Sequence, residues 1–212
     1  MTTKTYAALA AAALVGLLGG SALYIILNQT GDDFAQCRGG QVGGGDIGGP
    51  FTLVDQTGQT VTDAEVLTKP SLIYFGYTFC PDVCPLDVAR NSEAVDILEE
   101  QGFDVTPVFI TIDPERDTPE VLAEFAENLH PKMIGLTGSA EQVKVASQAY
   151  KTFYRKQAGG DPEFYLVDHS TFTYLTLPGI GFVDFFRRDD TSDQIAQRVA
   201  CFVTSAGAVQ NN

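Results

Sequence analysis

The sequence predicts an α/β fold: a central mixed sheet flanked by helices, preceded by an N-terminal transmembrane helix. Three observations predict it. Residues 6–27 contain no charged side chain. From residue 51 to about residue 203, short β-branched runs alternate with segments of helical period, in the order βαβ, α, β-meander, α. Cys80 and Cys84 stand at the junction between one such strand and the helix after it.

The apolar run comes first. As a helix, residues 6–27 would rise roughly 33 Å, enough to cross a hydrocarbon core of about 30 Å. Lys4 precedes the run, and Asp32 and Asp33 follow it. Positive charge on the N-terminal side keeps that end in the cytoplasm. Gly20, Ser21 and Ala22 are small enough to resemble a signal-peptide cleavage site. The run is nevertheless longer than the usual signal-peptide core of about 7–15 residues, so an uncleaved anchor is expected. The chain then divides into a cytoplasmic N-terminus (1–5), an anchor (6–27), a Gly-rich linker (28–49), a globular domain (50–204) and a polar C-terminal tail (205–212).

Within the domain, residues 51–55 and 60–62 read as a short hairpin around Gly58. Residues 71–77 read as a buried strand bounded by Pro70. Residues 85–101 have helical period through Val88, Val95, Ile97 and Leu98, and Gly102 suits the C-terminal end. Residues 105–112 form a second buried strand. Asp117, Thr118 and Pro119 signal a helix start, with Asp117 as the cap; that helix ends near His130 and Pro131. A short strand at 133–136 and a helix from 139 to about 154 follow. Strands are expected at 164–167, 171–177 and 182–187, the last two joined through Pro178 and Gly179. The final helix covers 191–202, capped by Thr191 or Ser192. A parallel βαβ unit followed by an antiparallel hairpin and a terminal helix is a thioredoxin-like arrangement. The segment around 118–150 is an insertion into its minimal form.

Charge narrows the function classes. The net charge is −14, and all 27 acidic residues lie beyond the apolar run. The acidity argues against nucleic acid, whose binding needs a basic footprint, and against an anionic lipid surface. A metal ion or a cationic partner is compatible. Four cysteines in an exported chain suggest an oxidising compartment. Domain termini often lie close together. The economical pairing therefore joins Cys37 to Cys201 as a staple and leaves Cys80 and Cys84 as the functional pair.

If the chain is helical at the dithiol, residues i and i+4 share one face, and the two sulfurs could then converge on a soft metal ion or close into a disulfide. A helix N-terminus favours thiolate, and Pro85 fits a first turn. His169 follows Asp168 at the end of an apolar run, on the expected hairpin beside the dithiol loop. Two thiolates and an imidazole suit Cu(I), or Cu(II) with an added water or carboxylate. Structural zinc normally takes four protein ligands, and no fourth is evident. His130, before Pro131 at a helix C-terminus, is read as structural. The Asp113–Thr118 run could orient the site, dock a partner or cap a helix. No phosphate loop, nucleophile elbow or dinucleotide fingerprint is present.

The run from Tyr74 to Pro85 around the cysteines, the run from Asp113 to Thr118, and Val167-Asp168-His169-Ser170 with Tyr174-Leu175 resemble the Sco/SenC family. The resemblance implies a membrane-anchored, thioredoxin-like copper protein that helps assemble the dinuclear copper centre of cytochrome c oxidase subunit II. It places the family's ligands on Cys80, Cys84 and His169. Implied partners are that subunit, a copper donor protein, a thiol reductant and the inner membrane. The soluble domain is expected in a bacterial periplasm or the mitochondrial intermembrane space. Two alternatives stay open: a thiol–disulfide reductase using Cys80 and Cys84 as a redox-active dithiol, and a redox or copper sensor.

Overall fold

The structure, a computed structural model, describes residues 13–21, 24, 34–38, 46–159 and 164–210. The chain divides into two units, Met1–Asp33 and Phe34–Asn212. In the first, residues 13–21 and 24 are helical. Among the described residues no helix is long and apolar enough to cross a membrane. The rest of the expected anchor, and most of the expected linker, lie outside the described residues.

In the second unit the chain order is β1 (Thr52–Asp55), β2 (Thr60–Thr62), α1 (Asp63–Val66), β3 (Ser71–Gly76), α2 (Val83–Glu100), β4 (Thr106–Thr111), α3 (Pro119–Leu129), β5 (Ile134–Thr137), α4 (Ala140–Ala149), β6 (Tyr154–Lys156), β7 (Val167–His169), β8 (Thr173–Leu177), β9 (Gly181–Phe186) and α5 (Ser192–Gln210). Among the described residues, seven strands form one mixed sheet in the order β2-β1-β5-β4-β3-β8-β9. β3, β4 and β5 run parallel, and the remaining pairs are antiparallel. β3 lies between β4 and β8, so all six of its residues are buried and residues 72–75 are a continuous apolar run. β6 and β7 form a separate two-stranded ribbon, with His169 opposite Tyr154.

Local chemistry sets most helix ends. Gly102 (φ +86°) ends α2: its N–H bonds to Glu99 O, and Phe103 N–H bonds to Leu98 O. This 6→1 and 5→2 pair satisfies two terminal carbonyls and needs the left-handed glycine between them. Thr118 caps α3 by accepting from Val121 N–H, with Pro119 in the first turn. Ser139 with Gln142, and Thr191 with Gln194, form reciprocal boxes before α4 and α5.

Four boundaries differ from the sequence reading. α2 begins at Val83 rather than residue 85, which places Cys84 inside the first turn. The helix expected to reach 154 ends at Ala149, because Lys151 turns left-handed (φ +54°) and residues 154–156 pair with β7 instead. The strand expected at 164–167 shifts to Val167–His169, since Phe164 and Leu166 are exposed rather than core-facing. α5 continues to Gln210 because its buried stripe extends through Phe202 to Ala206.

Against one set of strands, α2 and α5 bury Ala94, Val95, Leu98, Ile195, Val199 and Phe202 with Leu72, Leu175 and Val183. Each large apolar side chain buried here contributes roughly 1.5–3 kcal/mol of transfer free energy. Cys37 and Cys201 are disulfide-bonded at the margin of this cluster (Cα–Cα 5.5 Å), as the sequence reading pairs them.

Candidate metal centre

β3 delivers the chain to the site at Gly76. A Cβ there would lie 2.8 Å from Tyr74 Cε1, 3.0 Å from Phe109 Cε2 and 3.1 Å from Cys84 Sγ. The absent side chain therefore lets Cys84 sit directly against the strand. Cys80 N–H donates to Tyr77 O (3.3 Å) as the chain turns. Cys84 is the second residue of α2, where backbone N–H groups have no intrahelical acceptor. Its N–H points at Cys80 Sγ, 3.4 Å away.

That placement makes the two thiols unequal. At Cys80, burial opposes ionisation, but the N–H groups of Cys84 and Asp82, the Cys84 thiol and the Val83 N–H together outweigh it and lower the pKa below the ordinary thiol value. At Cys84, burial dominates and pushes the pKa up, and a charge on Cys80 adds to the rise. Cys80 is thus the group poised as thiolate, and Cys84 remains a thiol until a cation or a disulfide partner takes its proton's place.

His169 comes from the far side, at the end of β7. Its Nε2 lies 3.3 Å from Cys84 Sγ. Its Nδ1 lies 2.8 Å from Ser170 O. A carbonyl oxygen can only accept, so Nδ1 carries the proton and Nε2 presents its lone pair towards the sulfurs. Burial holds the His169 pKa below the usual imidazole value, although the Ser170 carbonyl and nearby Asp87 pull the other way. The ring is held edge-on by Tyr74 (centroids 6.2 Å, 88°) and Tyr77 (5.9 Å, 85°).

The ligand atoms of Cys80, Cys84 and His169 all lie within 4.8 Å of one another. The structure thus brings together the three residues singled out in the sequence. Two sulfurs and an imidazole nitrogen fit a soft, low-coordinate cation, and no fourth His, Cys, Asp or Glu ligand joins them among the described residues. His130 is not in the cluster. It is buried at the end of α3, accepts from Lys132 N–H at Nδ1 (3.1 Å), and directs Nε2 at Asp96 (3.2 Å).

Asp117 is not a helix cap. It is fully buried and accepts from Thr78 N–H (3.0 Å), Thr78 Oγ1–H (2.6 Å) and Thr111 Oγ1–H (2.6 Å). Burial raises its pKa despite these donors. Thr118 takes the capping role because its hydroxyl, not the Asp117 carboxylate, faces Val121 N–H. Asp87 also escaped the sequence reading. It is buried in α2, accepts from Tyr74 O–H (3.0 Å) and pairs with Arg90 (3.3 Å). A carboxylate on the predicted apolar face of an amphipathic helix was the available signal.

A thioredoxin-like sheet with a dithiol at its strand-to-helix turn, completed by an imidazole, supplies the donor set for a soft metal ion and a pair of thiols close enough to bond to one another. Residues 40–204 match the SCO1/SenC family. The chain is 53% identical over 204 residues to Protein SenC of Rhodobacter capsulatus, covering 96% of this chain and 92% of that one. It is similar to the crystal structure of Arabidopsis thaliana ScoI with copper bound: TM-score 0.71, 40% identity, covering 74% of this chain and 99% of that one. It is also similar to BsSco, a member of the Sco family of cytochrome c oxidase assembly proteins in which a disulfide switch is identified: TM-score 0.59, 27% identity, covering 72% and 91%. The chain belongs to the SCO1/SenC family.

Proposed function

We propose that this protein is a copper metallochaperone that binds copper through Cys80, Cys84 and His169. It would support assembly of the dinuclear copper centre of cytochrome c oxidase subunit II. The observation that carries the proposal is the assembled ligand set: two sulfurs and an Nε2 lone pair, with the imidazole tautomer already set by Ser170. Its relative ScoI is described with copper bound, and BsSco belongs to a family of oxidase assembly proteins. A three-ligand shell leaves the cation a face open to an acceptor's ligands, which transfer requires.

The proposal includes an anchor at residues 6–27, with the domain in a bacterial periplasm or the mitochondrial intermembrane space. The uncharged run and the Cys37–Cys201 disulfide both support it. A copper donor protein would load the site, and a thiol reductant would keep the dithiol reduced.

The second reading, thiol–disulfide reductase, is favoured by the unequal thiols. In it Cys80 thiolate attacks a partner disulfide to form a mixed disulfide. Cys84 then displaces the partner thiolate, so the partner gains two electrons and the Cys80–Cys84 disulfide forms. Anaerobic titration of the reduced full chain with Cu(I) and Cu(II), in wild type and His169→Ala, separates the readings. The metallochaperone reading expects tight copper binding, weakened in the variant. Undiminished Cu(I) affinity in His169→Ala, with dithiol exchange intact in both, favours the reductase.

A further inference from the structure

The loop between β4 and α3 touches both halves of the candidate centre through different carboxylates. Asp117 takes the dithiol half: it accepts from the backbone and the hydroxyl of Thr78, two residues before Cys80, and is tied to β4 through Thr111. Asp113 takes the histidine half: it accepts from Tyr165 O–H (2.5 Å) and pairs with Arg116 Nε (2.5 Å). Tyr165 lies at the entry to β7, four residues before His169. The Arg116 guanidinium stacks 3.6 Å from the Tyr165 ring centroid, 4.9 Å from Phe79 and 5.6 Å from Tyr77, so one cation lies against aromatic rings from both halves. Tyr77 completes the bridge by accepting Val167 N–H at its hydroxyl (3.3 Å).

Two buried carboxylates four positions apart are costly unless each is satisfied. Here Asp117 and Asp113 are satisfied by groups on opposite walls of the same centre. A helix start needs neither: Thr118 and Pro119 suffice to begin α3.

We propose that residues 113–117 form a positioning brace that fixes the dithiol loop and the histidine strand relative to one another before metal arrives. Asp117 is the arm on the cysteines, and the Asp113–Arg116–Tyr165 group is the arm on His169. This rests on the metal-binding reading above. The brace removes from metal binding the entropy of gathering three ligands from segments distant in sequence.

The test is a double-mutant cycle in the full chain. Cu(I) affinity is measured by competition with a chromophoric chelator, and Cu(II) absorption is recorded alongside. Asp117→Asn removes one acceptor oxygen, and Tyr165→Phe removes one hydroxyl. Each is made in wild type and in His169→Ala. Asp117→Asn should weaken Cu(I) about tenfold in both backgrounds, in the range of partners that orient metal ligands. Tyr165→Phe should weaken Cu(I) and shift the Cu(II) absorption in wild type, yet have no further effect once His169 is gone. A purely structural role would lower thermal stability but leave the absorption of the bound copper unmoved. Equal effects of Tyr165→Phe in both backgrounds, or unchanged affinity and absorption in both single variants, would overturn the brace. Absence of copper binding by wild type would overturn the metal reading instead. Should Asp117→Asn fail to fold, Tyr165→Phe and Thr78→Val carry the two arms, with the same outcomes deciding.

Discussion

Cys37 and Cys201 are 164 residues apart and bonded, whereas Cys80 and Cys84 are four apart, both buried, and free. The first pair sits beside the apolar cluster of α2 and α5, with Phe34 and Phe202 packed alongside (5.5 Å). In the chain-entropy picture, closing so long a loop restricts the unfolded state by about 5 kcal/mol, and a loop as short as the second pair's by only about 2 kcal/mol. The long-range bond is therefore a staple for the fold. The short-range pair is governed by its surroundings: the first turn of a helix, a lone imidazole and buried tyrosines. The same residue type serves stability in one place and chemistry in the other, and loop length and local field make the difference.

The largest test of that contrast is Cys80→Ser. Copper binding by the full chain should be lost, while the urea midpoint stays close to wild type. Retention of the full copper load, measured by elemental analysis after dialysis, would break the division between the pairs. Cys201→Ser should do the reverse. It should cost roughly 2–5 kcal/mol in urea denaturation, with the folded fraction still binding copper. If copper affinity falls in proportion to stability, the staple and the site are not separable.

The smallest effect is the pH dependence of alkylation. Cys80 has a folded-state pKa below its unfolded value, so its thiolate is favoured by folding. Its contribution to stability is present above the unfolded thiol pKa and is lost as pH falls through the folded value. Cys84 runs the other way: folding favours the thiol, and that contribution is present below the unfolded pKa and lost as pH rises. Iodoacetamide on the reduced, metal-free protein should therefore modify Cys80 first, with a reaction profile extending to lower pH than an ordinary thiol. Mass spectrometry of the two peptides sharpens the comparison, and preferential modification of Cys84 would contradict it.

Much of this architecture was legible because it is periodic or compositional. The centres of β3 and β4 are buried on both faces, and residues 72–75 and 107–110 are accordingly apolar throughout. Helix starts were legible where one hydroxyl or one proline carried the signal. Asp117 shows where that reading stops. Asp and Thr in succession are both good caps, and nothing local tells which one turns inward. The choice was made by Thr78, 39 residues earlier in the chain. The overlong reading of α4 has a similar cause. Tyr150, Phe153 and Tyr154 continue an apolar pattern, and only the left-handed Lys151 and the pairing with β7 end the helix.

By itself the sequence determined that two thiols would flank the start of a helix; Cys80 lies before α2, so it is the turn into the helix, with Cys84 N–H aimed at Cys80 Sγ, that brings them together, not helical spacing. It also determined the net charge of −14. The tertiary structure alone decided that His169 Nε2 comes within 3.3 Å of Cys84 Sγ across 85 residues, and that Ser170 holds the proton on the other ring nitrogen. It alone aimed Asp113 and Asp117, from one loop, at Tyr165 and at Thr78. Such contacts join segments with no shared period, so their geometry exists only once the sheet has brought the strands together.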